Sequence, residues 1–330
     1  MWSMYRDLPV LITGHTGFKG AWLSHILMRL GARVSGYALP PERSSLFSNL
    51  SLEMPQCLHD IREMNRINSF VQQQKPKIIF HLAAQALVSV GRNQPLETFS
   101  TNIMGLANVL EAAVRHHVEA VVVVSTDKVY VPQDQPCTTA SPLGGKDPYS
   151  ASKTAAEFLV PAYQDRLNIS ISRSGNAMGG GDWGIDRLIP DIMRAHYSNQ
   201  ALHIRNPNAT RPWLHVSELI RAYLMLGLWN RQGLHCRPFN FGAAVSLSVN
   251  DILQYLSAKG ISPSVVYDSD VLHETQKLDL QSIETTEILG WNNQIPSQQA
   301  LDWTVEEYEL LQTPDALRDR MWDRMGFDEL

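Results

Sequence analysis

Short apolar runs alternate with longer segments of helical periodicity over the first half of the chain. The runs are brief and rich in Val and Ile, which is typical of parallel strands that are buried on both faces. They lie at residues 10–13, 33–37, 77–82, 120–125 and 169–173. Between them, residues 18–30 and 98–116 place their apolar side chains on one side of a helix. This alternation predicts an α/β fold with a Rossmann-like, doubly wound parallel sheet.

The pattern changes after about residue 173, where stretches containing Gly, Pro and Trp, such as residues 179–183, replace the regular alternation. We therefore expect one domain over residues 1–173 and a smaller C-terminal domain over residues 174–330. The second domain is expected to cap the open edge of the sheet. A segment at about residues 208–245 is expected to return to the first domain.

Composition and charge restrict the partners. The 330 residues carry a net charge of −5 and their lysines and arginines are scattered, whereas a nucleic-acid surface needs a basic stripe. We therefore expect no nucleic-acid partner. No apolar stretch reaches the length of a membrane span or a signal core, so we expect no membrane association.

Cys57, Cys137 and Cys236 have neither disulfide nor metal spacing, which indicates a reduced, cytoplasmic protein without a metal site.

A glycine-rich turn joins the first predicted strand to the first predicted helix. Gly14, Gly17 and Gly20 allow a tight turn, close approach of the backbone to a ligand and close packing of the helix. The amides at the start of that helix can then bind the pyrophosphate of a dinucleotide. The second strand lacks the terminal acid that would hold a ribose, so these residues leave both NAD and NADP open. Asp60 is a candidate adenine contact, and a solvated loop pair with Arg62 is the alternative.

Tyr149 and Lys153 are four residues apart, so they share one face if their segment is helical. A phenol with a pKa of ~10 becomes a base at neutral pH only if its phenolate is stabilised by roughly 4 kcal/mol. A neighbouring ammonium and a cationic nicotinamide can supply that stabilisation. The spacing alone is also typical of a surface helix, but its position after the hydroxyls of Ser125 and Thr126 favours hydride chemistry on a sugar or an alcohol.

Longer motifs give the chain a resemblance to a known family. They include Gly14-x-x-Gly17-x-x-Gly20, His81-Leu82-Ala83-Ala84, Asn102, Asp127-Lys128, Tyr149-x-x-x-Lys153, Gly175-Asn176-Ala177-Met178-Gly179-Gly180-Gly181-Asp182-Trp183 and Arg211-Pro212-Trp213. From about residue 8 to residue 290, the chain resembles the extended short-chain dehydrogenases/reductases that act on nucleotide sugars. Within that group it is most similar to the CDP-glucose 4,6-dehydratases.

This resemblance implies a hydro-lyase that holds NAD tightly. Such dehydratases take hydride from C4 of the hexose, eliminate water across C5 and C6, and return the hydride to C6. In that scheme Tyr149 is the C4 base, Lys153 tunes it, and Thr126 hydrogen-bonds the C4 oxygen. Asp127 protonates the leaving C6 hydroxyl, and Lys128 removes the C5 proton, which requires a lowered pKa. The alternative for Asp127 and Lys128 is a structural ion pair.

The resemblance also implies which residues bind the two ligands. The expected NAD contacts are Gly14, Thr16, Gly17, Phe18, Gly20, Asp60, Ile61, Leu82, Ala83, Ala84, Asn102, Tyr149 and Lys153. The expected contacts of the nucleotide sugar, placed mainly in the C-terminal domain, are Gln85, Asn176, Arg187, Arg205 and Arg211. Arginine suits that role because its planar, permanently charged group donates to phosphate oxygens. Relatives form a homodimer through two helices, here expected at residues 98–116 and 150–166, with a tetramer as the alternative. The apolar sides of these helices could equally face their own sheet, so the sequence leaves the assembly open.

Two departures from the dehydratase pattern leave the hexose open. Residues 87–92 read Leu-Val-Ser-Val-Gly-Arg where those relatives usually have Leu-Val-Arg-x-Ser-Tyr, and the loop at residues 133–139 is shortened. An epimerase or reductase of the same fold is therefore an alternative function, since it needs no acid–base pair at Asp127-Lys128. A non-catalytic NAD-binding regulator is a third, which the presence of Tyr149 and Lys153 disfavours.

Overall fold

The computed structural model describes residues 1–233, 236–268 and 277–327, so three short parts of the predicted C-terminal domain lie outside it. Its strands are β1 (Pro9–Thr13), β2 (Arg33–Ala38), β3 (Gln56–Leu58), β4 (Ile78–His81), β5 (Ala120–Val124), β6 (Asn168–Ser174), β7 (Ala177–Met178), β8 (Leu202–Ile204), β9 (Thr210–Arg211), β10 (Leu214–His215), β11 (Arg237–Phe241), β12 (Leu247–Ser248) and β13 (Val265–Tyr267). Its α-helices are α1 (Phe18–Arg29), α2 (Leu46–Leu50), α3 (Met64–Gln74), α4 (Val88–Asn93), α5 (Pro95–Phe99), α6 (Gly105–Arg115), α7 (Pro148–Leu159), α8 (Leu188–Ser198), α9 (Val216–Arg231), α10 (Val249–Ala258), α11 (Ile283–Leu289), α12 (Ser297–Glu309) and α13 (Pro314–Asp323).

The main sheet contains seven described strands, all parallel, in the order β11-β6-β5-β4-β1-β2-β3. The predicted doubly wound parallel sheet is therefore confirmed, and each of the five predicted strands is present within a residue or two of its expected bounds. β3 has only three residues, too few to show a pattern in the sequence. β11 comes from the later part of the chain and pairs with β6, which places it at one edge of the sheet.

Both faces of the sheet are covered by helices. Leu11, Ile79 and Val121 belong to a core that they share with residues of α3 and α6. Their chain neighbours Ile12 and Phe80 point to the opposite face, in a core shared with α1 and α9. Because successive strand residues alternate between faces, a strand covered on both sides must be apolar throughout. This is why the strands appear in the sequence as unbroken apolar runs.

Prolines set the limits of the helix that carries Tyr149 and Lys153. Asp147 caps α7 by accepting a hydrogen bond from the Ser150 amide at 3.0 Å, and Pro148 occupies the first helical position. The expected helix at residues 150–166 ends earlier, at Leu159, and continues as a 3₁₀ turn that contains Pro161. A proline cannot donate the backbone hydrogen bond that an α-helix requires at that position.

Apart from β11, the described strands after β6 form small two-stranded sheets that are separate from the main sheet. These sheets pair β10 with β7, β12 with β9 and β13 with β8. Within the described ranges, we find no helix with both the length and the apolar character needed to cross a bilayer.

Candidate active site

A cleft of about 1260 Å³ lies at the carboxyl ends of the parallel strands, the edge at which open α/β sheets bind their ligands. Residues 82–85, 124–128 and 149–153 contribute to one side, here called the strand-end wall. Residues 174–177 continue this wall from the end of β6, and residues within 182–191 and 202–213 form the other side, the cap wall. Nine Lys or Arg residues and six Asp or Glu residues line the cleft, so it is positive within a chain of net charge −5. Its size and charge suit two phosphate-bearing ligands together.

The glycine turn has the close contacts that the sequence predicts. Gly14 has a φ of +77°, and a Cβ there would lie 2.7 Å from the Ala83 nitrogen. A Cβ on Gly20 would lie 2.1 Å from the Gly14 oxygen. Gly17 is the N-cap of α1, and a Cβ there would meet only the Gly14 oxygen, at 3.4 Å. No described side chain caps α1, so its first amides can donate to an anion, and this cradle fits the pyrophosphate of NAD.

Asp60 lies at one end of the cleft, near the end of β2. The Arg62 guanidinium donates to both Asp60 carboxylate oxygens, at 2.9 and 2.5 Å, and these bonds lower the pKa of Asp60. The Tyr37 hydroxyl donates to the Asp60 carbonyl at 3.0 Å. Thr16 lies close by and donates to the Leu39 carbonyl at 3.0 Å, which joins the glycine turn to the end of β2. Asp60 is thus ion-paired and still lines the cleft.

Several other predicted ligand contacts also line the cleft, and one lies behind its wall. Those on the surface of the cleft are Phe18, Ile61, Leu82, Ala83, Ala84 and Gln85. Asn102 is buried and holds the wall in place: it accepts from the Gln85 amide at 2.8 Å and donates to the Gln85 carbonyl at 3.0 Å and to Ser152 at 2.8 Å. The side-chain amide of Gln85 is itself bonded to Leu87 and Thr98.

Thr126 and Tyr149 meet on the strand-end wall, one after β5 and the other on α7. Each is only 8% exposed. Burial raises the pKa of the Tyr149 hydroxyl to about 12, whereas its hydrogen bond with Thr126 and the charge of Arg187 lower that pKa. A phenol in this setting keeps its proton at neutral pH unless more positive charge approaches, and a cationic nicotinamide would bring such a charge.

Lys153 is held by the backbone and lies within the electrostatic influence of a buried carboxylate. Its Nζ donates to the Val124 carbonyl at 2.7 Å. Burial lowers the pKa of Lys153 to about 8, while the charge of Glu157 raises it. Glu157, one turn further along α7, accepts from Arg173 at 2.6 Å and from the Ser125 hydroxyl. Our sequence reasoning missed Glu157 and Arg173: the four-residue spacing from Lys153 was visible, but only the fold brings Arg173 on β6 beside α7.

Asp127 lies directly beneath the surface of the cleft. It is 1% exposed, and Oδ1 accepts a hydrogen bond from Thr126 at 3.0 Å and lies 3.8 Å from the Lys128 Nζ. Its Oδ2 is buried and finds no hydrogen-bond partner in the part of the chain that the structure describes. Thr126, Lys128 and Gly175 form the adjoining surface of the cleft. An orphaned carboxylate oxygen is costly to bury, so its retention beside a cleft points to a ligand hydroxyl.

The four remaining residues that the sequence predicts for the nucleotide sugar also line the cleft: Asn176 just after β6, and Arg187, Arg205 and Arg211 on the cap wall. Arg187 donates to buried Asp182 at 2.9 Å, and Arg205 lies 3.6 Å from Asp186. Arg211 is mostly buried and donates to the Thr210 carbonyl at 2.8 Å. Among the described residues, no group of His, Cys, Asp or Glu side chains is arranged to hold a metal ion.

Comparison with known proteins agrees with this geometry. A profile of the NAD dependent epimerase/dehydratase family matches residues 10–242. The CDP-glucose 4,6-dehydratase of Salmonella typhimurium is 40% identical over 259 residues, which span 73% of this chain and 72% of that protein. The dTDP-D-glucose 4,6-dehydratase of Mus musculus is 27% identical over 261 residues, which span 76% of this chain and 72% of that protein.

Solved structures share the fold over nearly the whole chain. MoeE5 in complex with UDP-glucose and NAD superposes with a TM-score of 0.81 at 24% identity, covering 90% of this chain and 97% of its own. The UDP-glucose 4-epimerase of Thermotoga maritima, bound to UDP-glucose, gives 0.80 at 22% identity, covering 91% and 98%. At these identities the likeness establishes the fold. The resemblance that the motifs predict is confirmed, and the chain belongs to the NAD dependent epimerase/dehydratase family.

Proposed function

We propose that this chain is an NAD-dependent nucleotide-sugar 4,6-dehydratase that converts CDP-glucose, or a close analogue, to the 4-keto-6-deoxy sugar. It is thus an enzyme of the lyase class. The observation that carries the proposal is the grouping of a phenol, a hydroxyl and a carboxylate: Tyr149, Thr126 and Asp127. An epimerase of this fold needs the first two, whereas elimination of water also needs an acid. The 40% identity to a CDP-glucose 4,6-dehydratase supports both the reaction and the cytidine nucleotide.

NAD binding is assigned to residues 1–173, with β11 completing their sheet, and binding of the nucleotide sugar mainly to residues 174–330. The first amides of α1 would hold the NAD pyrophosphate, and Asp60 would contact the adenosine. The chemistry that bound NAD supplies is removal of hydride from C4 and its return to C6. Arg187, Arg205 and Arg211, with Asn176, would hold the substrate diphosphate and orient the hexose towards the strand-end wall.

Tyr149 would accept the proton of the C4 hydroxyl, and Thr126 would hydrogen-bond the C4 oxygen. Burial raises the pKa of Tyr149 to about 12, so the phenol needs positive charge beside it before it can act as a base. The Lys153 ammonium lies on the same helix face and is kept charged by Glu157. This arrangement couples proton removal to the arrival of the cationic cofactor.

Elimination would use the next two residues of the chain. A C4 ketone makes the C5 proton acidic, so a base at C5 and an acid at C6 suffice to expel water. Asp127 would protonate the departing C6 hydroxyl through its unpartnered Oδ2. Lys128, whose side chain is 31% exposed at the surface of the cleft, would remove the C5 proton.

The decisive experiment is incubation of the purified protein, without added cofactor, with CDP-, dTDP-, GDP- and UDP-hexoses in deuterated water. Products are analysed by mass spectrometry and NMR. We expect CDP-glucose to lose one water and to gain deuterium at C5. A product that is epimerised at C4 and retains all its oxygen would favour the epimerase instead. If none of the nucleotide sugars reacts although NAD is bound, the non-catalytic regulator would be favoured.

We also propose a homodimer that buries an apolar patch formed by Leu96, Met104 and Phe158. These side chains are 82%, 56% and 66% exposed and lie on helical segments that pack against one another. A contiguous patch of exposed apolar side chains commonly marks a protein–protein interface. We expect light scattering to give twice the chain mass for the wild type and for Val245→Glu, and the chain mass for Phe158→Glu. Four times the chain mass would indicate the tetramer, and a monomeric wild type would refute the assembly.

The cytoplasm is the compartment that we propose, since Cys57, Cys137 and Cys236 are all free thiols, as expected where glutathione keeps cysteines reduced. Fractionation of the source cells tests this, and recovery outside the cytoplasmic fraction would contradict it.

A further inference from the structure

Lys19 lines the cleft and has no part in the mechanism above. Lys19 is the second residue of α1 and lies between Gly17 and the tightly packed Gly20. Its side chain lines the cleft and is half-buried. Among the described residues, no hydrogen bond or ion pair engages its ammonium. The predicted NAD contacts in this turn rest on its glycines and backbone, and they leave the lysine side chain unexplained.

The charged groups that face Lys19 come from several elements. Arg187 and Lys153 repel its ammonium, whereas Asp182 and Asp127 attract it. Asp182 is ion-paired with Arg187 at 2.9 Å, and Asp127 Oδ1 accepts from Thr126 at 3.0 Å and lies 3.8 Å from the Lys128 Nζ. Burial and the neighbouring positive charge lower the pKa of Lys19 to about 8. Within the described ranges, the Lys19 ammonium thus lies among other cations, and no carboxylate forms an ion pair with it.

We infer that Lys19 is a further anion-binding residue of the cleft, and that its ammonium binds an oxygen of a diphosphate. This inference rests on the proposed function, because both NAD and a nucleotide sugar carry that group. Lys19 stands where the two ligands would approach each other. Its own turn presents the amides of α1, and Arg187 on the cap wall is its strongest charged neighbour. A lysine suits this position because it acts as a compact point charge on phosphate.

A bound diphosphate would offset the repulsion that Lys19 meets from Arg187 and Lys153, since the ligand brings negative charge into a buried, positive cluster. NAD and the nucleotide sugar both contain a diphosphate, so either ligand could provide the oxygen that Lys19 binds. Separate measurements with NAD and with CDP, which lacks the sugar, distinguish the two.

The test compares Lys19→Met with Lys146→Met, since Lys146 also lines the cleft but is exposed at its rim. Titration calorimetry gives the dissociation constants of NAD and of CDP for the whole chain. A hydrogen bond from a charged donor to phosphate is worth about 1.5–3 kcal/mol, so K19M should weaken one ligand by about tenfold or more. K146M should leave both affinities within about twofold, because exposed charges contribute little. K19R, which keeps the charge, should restore most of the lost affinity.

A loss confined to NAD would assign Lys19 to the cofactor diphosphate, and a loss confined to CDP would assign it to the substrate. Unchanged affinity for both ligands in a folded K19M would overturn the inference, as would failure of K19R to restore binding. Should K19M fail to fold, Lys19→Gln carries the same test. Different results contradict the inference and the proposed function. A wild-type protein that binds NAD but dehydrates no nucleotide sugar would contradict the proposed function. The NAD titration of K19M would still test whether Lys19 binds a diphosphate.

Discussion

The two walls of the cleft differ in how firmly the protein fixes their side chains. On the strand-end wall, Tyr149 and Lys153 are 8% and 7% exposed and lie in a network of buried hydrogen bonds. On the cap wall, Arg187 and Arg205 expose 37% and 38% of their side chains. A buried, fully bonded group keeps one geometry, whereas a half-exposed arginine can exchange water for phosphate at little cost. We conclude that Tyr149 and Lys153 are preorganised, whereas Arg187 and Arg205 can adapt to the nucleotide. Arg211, mostly buried on the cap wall, and Lys128, 31% exposed on the strand-end wall, depart from this contrast.

The strongest test of the preorganised wall is Tyr149→Phe. Removal of the hydroxyl should lower kcat by about 10³-fold, because no other group stands ready to accept the C4 proton. NAD affinity should stay close to the wild-type value. Initial rates and cofactor titration check this. Tyr163→Phe is the matched control, since the Tyr163 hydroxyl binds Glu111 at 2.8 Å away from the cleft. Wild-type turnover by Tyr149→Phe would end the proposed mechanism.

A second change separates the two chemical steps on the same wall. Asp127→Asn keeps the size of the buried side chain but cannot supply an acidic proton, so elimination should slow by about 10²-fold. Oxidation at C4 should continue, and the reduced cofactor should therefore accumulate. Rapid-mixing absorbance detects it. Product formation at the wild-type rate would show that Asp127 is structural.

A third test concerns the support behind the strand-end wall. Glu157 and Arg173 are 3% and 4% exposed, so Glu157→Gln leaves a buried cation without its counter-ion. The free energy of unfolding should fall by about 3 kcal/mol, measured by urea denaturation. Asp319→Asn is the control: its ion pair with Arg29 is 69% and 42% exposed and should contribute less than about 1 kcal/mol. Equal losses in the two variants would contradict the contrast between buried and exposed pairs.

The smallest effect is expected on the cap wall. Arg205→Ala should raise KM for the nucleotide sugar by about fivefold, because an exposed charge contributes roughly 1 kcal/mol. Its kcat should not change, since Arg205 lies on the wall opposite Tyr149. Steady-state kinetics test this against Arg66→Ala, whose side chain is 60% exposed on α3. A fall in kcat with KM unchanged would place Arg205 in the chemistry and remove the distinction between the walls.

The parts of the site that are local in sequence were predictable. Gly14, Gly17 and Gly20 pack as their spacing indicates, because a turn between a strand and a helix imposes its own steric demands. Tyr149 and Lys153 share a helix face for the same local reason. The predicted helix over 150–166 is too long, because Pro161 lacks the backbone N–H that an α-helix requires and the chain continues there as a 3₁₀ turn. Asn102, predicted as a cofactor contact, is placed behind the wall, where its amide bonds Gln85 and Ser152.

The parallel sheet, the glycine turn and the family motifs could be predicted without a structure, because each depends on residues close together in the chain or on periodicity along it. Which charged groups meet could be seen only in the folded chain. Folding brings Arg173 into contact with Glu157, buries Asp127 beneath the cleft and places Lys19 within the electrostatic influence of Arg187. Burial and charge pairing depend on groups that many residues separate, and those contacts exist only once the chain has folded.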